Sequence, residues 1–238
     1  MTLSTKLPGG AIATRPLHFF WIADCSGSMS IDGKIQALNT AIRDAIPHMQ
    51  EVAKENPNAE VLVRALKFSS GVQWHISQPT PVADFKWTDL SIEGLTEMGK
   101  ALRTVAEQLE IGKMGERALP PVLVLISDGQ PTDDFYGGLK ALMDTPWGKK
   151  AVRISIAIGK DADMEVLQEF IGHPEIQPLL ANNAEQLVRF IRWVSTAVLK
   201  AASSPASQAK GELPVGMNVP MPTVTTASAG PSGADEVW

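Results

Sequence analysis

The sequence contains a single cysteine, Cys25, among 238 residues. One thiol cannot form an internal disulfide, and the four histidines are scattered singly, so no cluster with the spacing of a zinc site is present. This cysteine usage favours a reducing compartment. No candidate base lies beside Cys25 in the sequence, and we therefore interpret it as a packed residue and not as a nucleophile.

Basic residues are also scarce, since 21 Lys and Arg stand against 26 Asp and Glu and give a formal net charge of -5. Binding to nucleic acid or to anionic lipid needs a basic surplus, so neither partner is expected. The first 16 residues carry Pro and Gly where a signal peptide needs an apolar stretch, and the apolar run 17–23 stops at Asp24. We expect a cytoplasmic protein without a membrane span.

Two groups of catalytic motifs are missing as well. The sequence has no Gly-rich loop ending in Lys-Ser or Lys-Thr that would hold nucleotide phosphates. It also has no Ser, His and Asp in a recognisable hydrolase context. We therefore predict that the chain is not an enzyme.

The segments that are present alternate between two patterns. Continuous apolar runs predict buried strands, and apolar residues at every third or fourth position predict helices. The predicted strands are 17–23, 60–68, 72–76, 121–127, 152–158 and 176–181. The predicted helices are one from residue 31 with a kink at Pro47, 96–109 with a stop at Gly112, a short one through 139–142, 164–171 and 185–200.

This alternation predicts an α/β fold that is Rossmann-like and doubly wound, with a mainly parallel central sheet and helices on both faces. The short strand 72–76 is expected to be an antiparallel edge strand. We divide the chain into an N-terminal extension (1–14), one domain (15–200) and a flexible Ala/Ser/Pro-rich tail (201–238). The tail is interpreted as solvated, with docking through Val237 and Trp238 as the alternative.

Oxygen-bearing side chains follow two of the predicted strands. Asp24, Ser26 and Ser28 come directly after the first strand, and Asp128 directly follows the strand 121–127. Because ligands of such sheets bind beyond the carboxyl ends of the strands, we expect these side chains to meet at one edge. All are hard oxygen donors, which Mg²⁺ prefers.

Three segments, DCSGSM, GLTEMGKAL and LISDGQPTDD, resemble in order the three parts of the metal-ion-dependent adhesion site (MIDAS) of the von Willebrand factor A family. The resemblance covers about residues 15 to 200 and is closest to bacterial TerY-like proteins. It implies that the hydroxyls of Ser26, Ser28 and Thr96 bind the ion directly when a partner is bound. Asp24 and Asp128 then hold the ion largely through water, and one position stays open for an acidic residue of the partner.

Other interpretations of these residues exist. The three residues of the first motif would also suit the cap of the following helix, and Asp128 before a glycine would suit an ordinary turn. Asp133 and Asp134 are predicted to be helix caps outside the site. Glu97, beside the loop threonine, is an alternative metal contact.

The resemblance implies a metal-dependent adaptor or regulatory module that uses Mg²⁺ or Mn²⁺. TerY-like proteins are associated with tellurite resistance and with stress or phage defence, often beside a Ser/Thr protein kinase and a PPM-type phosphatase, which are therefore the expected partners. One alternative is a regulatory subunit of an ATP-driven chelatase or remodelling complex. Another, less favoured, is a Mg²⁺-dependent phosphoryl-transfer enzyme.

Overall fold

The computed structural model describes residues 14–128, 130–203 and 238. Six strands lie within these residues: β1 (Arg15–Asp24), β2 (Ala59–Ser69), β3 (Gly71–Pro81), β4 (Val122–Ser127), β5 (Val152–Ile158) and β6 (Leu179–Ala181). They form one sheet in the order β3-β2-β1-β4-β5-β6. Only the β2–β3 pair is antiparallel, and the other four pairs of neighbours are parallel. The predicted fold class is therefore confirmed.

Seven α-helices cover this sheet in the described part of the chain. They are α1 (Lys34–Glu55), α2 (Met98–Ala106), α3 (Ile111–Met114), α4 (Phe135–Asp144), α5 (Met164–Ile171), α6 (Ala184–Trp193) and α7 (Leu199–Ser203). Helices α1 and α6 pack together on one face of the sheet, and α2 and α4 pack together on the other. None of the helices in these ranges is both long and apolar enough to cross a membrane.

The two central strands, β1 and β4, are apolar because helices cover both faces of the sheet. All six residues of β4 are buried. In β1, Phe19 and Trp21 belong to the core beneath α1, whereas Phe20 and Ile22 belong to the core beneath α2, as the alternation of side chains along a strand requires. The carboxyl ends of these two strands therefore lie next to each other in the middle of the sheet.

The antiparallel edge strand is longer than predicted. Strand β3 runs from Gly71 to Pro81 and includes Pro79, whereas the sequence pattern predicted a strand over 72–76 followed by a loop. Prolines are tolerated there because an edge strand leaves the backbone N–H groups of one side without a ladder partner. Proline was therefore a misleading signal for the end of this strand.

Two helix boundaries were also predicted wrongly. Helix α2 ends at Ala106, and Gly112 lies inside α3 and does not stop a longer helix. Leu109 is fully buried although it lies in a turn, so the apolar spacing continues past the end of the helix. Helix α1 begins at Lys34, after a 3-10 segment (Gly27–Gly33), and is assigned without a break through its internal proline.

The C-terminal helical region continues beyond residue 200. Helix α6 leads through a π-helical turn (Val194–Val198) into α7, which ends at Ser203. Of the predicted N-terminal extension, residues 1–13 lie outside the described residues, and of the predicted tail, residues 204–237 do so.

Candidate metal centre

The fold brings the first and the third part of the predicted site into contact. Asp24 is the last residue of β1, and Asp128 directly follows the neighbouring strand β4. The Ser28 hydroxyl donates a hydrogen bond of 2.6 Å to Asp128 Oδ1. The hydroxyl oxygens of Ser26 and Ser28 are 3.0 Å apart. Four of the five predicted ligands thus lie at one edge of the sheet in a connected cluster.

Thr96, the fifth predicted ligand, is buried in the loop that precedes α2. Its backbone N–H donates to Thr132 Oγ1 at 3.2 Å, and its carbonyl accepts from the Thr132 N–H at 2.9 Å. The same loop is tied to the first motif, because the Gly27 N–H donates to the Gly94 carbonyl at 2.9 Å. These bonds tie the threonine loop to the first motif at Gly27 and to the segment before α4 at Thr132.

Asp24 is fully buried at the bottom of the cluster. Its Oδ1 accepts from the Ser26 N–H at 2.8 Å, and its Oδ2 accepts from the Ser127 hydroxyl at 2.5 Å. Burial, with a smaller contribution from the charge of Asp128, raises the pKa of this carboxyl to about 6 despite those hydrogen bonds. The ionised carboxylate is therefore held at a free-energy cost that a nearby cation would offset.

A lysine that the sequence analysis did not single out completes the cluster. Lys34, the first residue of α1, donates through Nζ to Asp128 Oδ2 at 2.9 Å. The two side chains are only 8% and 1% exposed, so this is a buried ion pair. The signal available in the sequence was a lysine in the first turn of a helix, where the helix dipole disfavours a positive charge unless an acidic partner is close.

The neighbouring acidic residues serve other purposes. Asp133 accepts from the N–H groups of Gly99 and Lys100 at 2.8 and 2.7 Å and so caps α2 from outside that helix. Asp134 caps α4, as predicted. The Glu97 carboxylate pairs with Lys100 Nζ at 3.1 Å, on the surface of α2. Within the described residues, none of these three side chains is hydrogen-bonded to the cluster.

Two glycines allow α2 and α4 to meet at backbone distance. A Cβ atom at Gly99 would lie 2.1 Å from the Asp134 carbonyl oxygen, and one at Gly138 would lie 2.2 Å from the Gly99 carbonyl oxygen. Only hydrogen fits at either position. This contact fixes the threonine loop, which leads into α2, relative to the segment that follows Asp128.

Cys25 lies inside the first motif, but its thiol faces the core. Burial raises its pKa to about 12, with the charge of Asp24 adding to the effect, so the thiol stays protonated at neutral pH. Its backbone N–H donates to the Phe68 carbonyl and its carbonyl accepts from the Glu93 N–H. The residue therefore packs, as predicted, and anchors the turn through its main chain.

The donor set of this cluster fits a hard divalent cation. It offers two carboxylates and up to three hydroxyls, all hard oxygen donors, whereas no group of three or more His, Cys, Asp or Glu that could hold a metal ion occurs among the described residues. With both carboxylates ionised, Lys34 leaves the cluster one negative charge in excess. A divalent cation would reverse that sign.

Comparisons with known proteins agree with this architecture. The family model described as von Willebrand factor type A domain matches residues 21–190. No curated protein sequence matches significantly. Among solved structures, VWA2, the ArnB paralog of Sulfolobus acidocaldarius, has a TM-score of 0.57 at 18% identity, over 75% of this chain and 45% of its own.

Two further structures show the same fold. Proximal thread matrix protein 1 of the mussel byssus, solved with a zinc-occupied MIDAS motif, has a TM-score of 0.57 at 17% identity, over 78% of this chain and 48% of its own. The minor pilin PilB of Streptococcus sanguinis has a TM-score of 0.58 at 16% identity, over 84% and 65%. The chain spans less than half of the first two proteins. Because the family model covers most of the sequence, the chain belongs to the von Willebrand factor type A domain family.

Proposed function

We propose that this chain is a metal-dependent protein-binding module whose cation recruits an acidic residue of a partner protein. The observation that carries the proposal is the hydrogen-bonded series Ser26, Ser28 and Asp128 at the common edge of β1 and β4. Domains of this family typically mediate protein interactions, and some do so through a metal ion. Mg²⁺ is the proposed ion because every donor is a hard oxygen, with Mn²⁺ as the alternative.

In this proposal Ser26, Ser28 and Thr96 bind the cation through their hydroxyls, and Asp24 and Asp128 hold it largely through water. Hydroxyl ligands are neutral, so a bound cation keeps most of its charge and attracts a carboxylate at its open position.

Lys34 increases the net positive charge at a bound cation because it pairs with Asp128 at Oδ2, whereas Ser28 donates to Oδ1. The protein would thus hold the cation with little negative charge and leave its attraction for an acidic partner largely intact.

We propose a binding role and no catalysis. The Cys25 thiol is buried and protonated, and the carboxylates of the cluster are engaged by serines and a lysine. Solved neighbours of the same fold carry the names of a pilus adhesin, a minor pilin and a matrix protein, which are binding or structural proteins. The TerY-like assignment, the tellurite or stress setting, the kinase and phosphatase partners and the cytoplasmic location remain predictions from the motifs.

The test combines calorimetry with partner capture. Mg²⁺ and Mn²⁺ are titrated into the wild type, into the double variant Ser26→Ala/Ser28→Ala and into Ser30→Ala. Ser30 is the matched control because its exposed hydroxyl donates to the Gly27 carbonyl of the same turn and not to the cluster. We expect the double variant to lose cation binding and the control to keep it.

Immobilised wild type and double variant are then incubated with lysate in Mg²⁺ and in chelator. Proteins captured only by the wild type and only with Mg²⁺ would support the proposal. Cation binding that is unchanged in the double variant would refute the metal site. Capture that depends neither on Mg²⁺ nor on the two serines would show that partners bind at another surface. A ring ATPase among the captured proteins would favour the chelatase alternative.

A further inference from the structure

An aromatic side chain far along the chain lies against the edge of the sheet that carries the metal cluster. The indole Nε1–H of Trp238 donates to the Asp32 carbonyl at 2.9 Å, and the Trp238 backbone N–H donates to the Asn182 carbonyl at 3.1 Å. Asn182 directly follows β6, and Asp32 lies in the 3-10 segment between β1 and α1. The indole also packs against the core beneath α1. Trp238 therefore bridges two loops at the carboxyl end of the sheet.

A glycine makes room for this contact. Gly159 directly follows β5 at a φ of 85°, a backbone conformation that favours glycine. A Cβ atom there would lie 3.1 Å from Lys34 Nζ and 3.6 Å from Trp238 Cβ. The Lys34 ammonium group and the Trp238 side chain thus both border the space next to Gly159. Since Lys34 Nζ donates to Asp128, Trp238 lies near the buried ion pair of the metal cluster.

The Asp32 carbonyl is presented by an unusual turn. Asp32 has a φ of 49° and Gly33 has a φ of 74°, two left-handed residues in succession directly before α1. A left-handed aspartate is uncommon and persists where surrounding contacts compensate for it. The indole hydrogen bond is such a contact, because it satisfies the carbonyl of the strained residue.

We propose that the cleft between Asp32, Gly159 and Asn182 is a binding site for an indole side chain, and that Trp238 fills it in cis and covers the Lys34 side of the metal cluster. Covalent attachment raises the local concentration of the indole above that of any free ligand. The fully extended length of segment 204–237 would be more than twice the diameter of the domain. The site does not require a bound cation.

The first test compares the rate at which lysine amines are labelled in the full wild-type chain and in Trp238→Ala, both in chelator, with mass spectrometry as the readout. Lys34 is 8% exposed in its side chain and is expected to react several-fold faster with an acylating reagent in Trp238→Ala than in the wild type. Lys140, which lies on the surface of α4, is the internal reference and should not change. Equal labelling of Lys34 in both proteins would show that Trp238 does not cover this lysine.

The second test uses hydrogen exchange and a matched pair of variants. Trp238→Phe removes the indole donor, and Trp74→Phe makes the same change on β3, against the other core. We expect faster exchange in segments 31–34 and 159–162 for Trp238→Phe, less than for Trp238→Ala, and no change there for Trp74→Phe. Unchanged exchange in both Trp238 variants would refute the docking.

A peptide of residues 231–238, added to the Trp238→Ala chain, should restore slow exchange in segments 31–34 and 159–162. The same peptide with alanine in place of the tryptophan should not. Restoration by both peptides would show that the cleft does not recognise the indole. Because none of these measurements uses a metal ion or a partner, their outcome is independent of the proposed function.

Discussion

Replacing Asp24 with asparagine is predicted to stabilise the cation-free protein while abolishing its response to Mg²⁺. Burial raises the pKa of the Asp24 carboxyl from 3.8 to about 6. Each pKa unit corresponds to roughly 1.4 kcal/mol, so ionisation of the folded protein lowers its stability by up to about 3 kcal/mol. The protonated group contributes this stability fully below pH 3.8, and the contribution is lost as the pH rises through about 6.

Asparagine is neutral at every pH and can keep both hydrogen bonds of the aspartate. Its carbonyl oxygen can accept from the Ser26 N–H, and its amide can donate to the Ser127 oxygen, with the direction of that bond reversed. Because a reversed bond fits less well, the expected gain in the free energy of unfolding at pH 7.5 is about 1 to 3 kcal/mol. At pH 4.5 the wild-type carboxyl is largely protonated, so the variant's gain should be about 2 kcal/mol smaller than at pH 7.5; the loss from the reversed bond is the same at both pH values.

The assay is urea unfolding in chelator at both pH values, followed by unfolding in Mg²⁺. The control is Asp84→Asn, an exposed aspartate whose replacement should change stability by less than about 0.5 kcal/mol. Mg²⁺ at ten times its dissociation constant should stabilise the wild type by about 1.4 kcal/mol and the Asp24 variant not at all. A variant that is less stable than the wild type in chelator at pH 7.5, or a difference that is the same at both pH values, would refute this reasoning.

Three further predictions concern other parts of the molecule. Burial, with a smaller contribution from the charge of Arg64, lowers the pKa of His18 to about 4, so the stability that neutral His18 allows is present above pH 6.5 and declines by about 3 kcal/mol as the pH falls to 4. Urea unfolding should show this loss in the wild type relative to His18→Leu, and parallel pH profiles of the two proteins would contradict the prediction. Lys34→Met leaves a buried carboxylate without its cationic partner, which should lower the stability in chelator by about 3 to 5 kcal/mol. Mg²⁺ should then raise the melting temperature of this variant more than that of the wild type, and equal shifts would show that Lys34 and Mg²⁺ do not compensate the same negative charge. Gly99→Ala forces α2 away from α4 and should weaken Mg²⁺ binding in calorimetry at least tenfold. The control is Gly112→Ala, because a Cβ atom there meets open space, and equal affinities of the two variants would show that the helix contact does not position the ligands.

The central strands could be predicted from the sequence because they are covered on both faces. Strand β5 and helix α5 have the predicted bounds, and β1 and β4 begin or end within two residues of the prediction. The edge strand and the end of α2 could not be predicted in this way. Pro79 is tolerated only because its strand lies at an edge, and Leu109 is buried by tertiary packing outside any helix, neither of which is encoded in local spacing.

The proximity of the cluster residues could be predicted from a topological rule and from the motif pattern in the sequence. Adjacent parallel strands bring their carboxyl ends together, so Asp24 and Asp128 had to lie near each other once β1 and β4 were recognised. The role of Lys34 was missed because a lysine at the start of a helix is usually solvated, and only the packed structure shows it to be buried. The Asp133 carboxylate was expected to cap its own helix, but it caps α2, a contact between elements that sequence spacing does not reveal.

The close contact of Gly99 and Gly138 also determines where the molecule can change shape. Two helices that touch through their backbones cannot slide past each other without collision, so we expect α2 and α4 to move together. We therefore expect a rearrangement that accompanies cation or partner binding to occur at the opposite boundary of the cluster. That boundary is the 3-10 segment Gly27–Gly33, where the two left-handed residues can act as a hinge between β1 and α1.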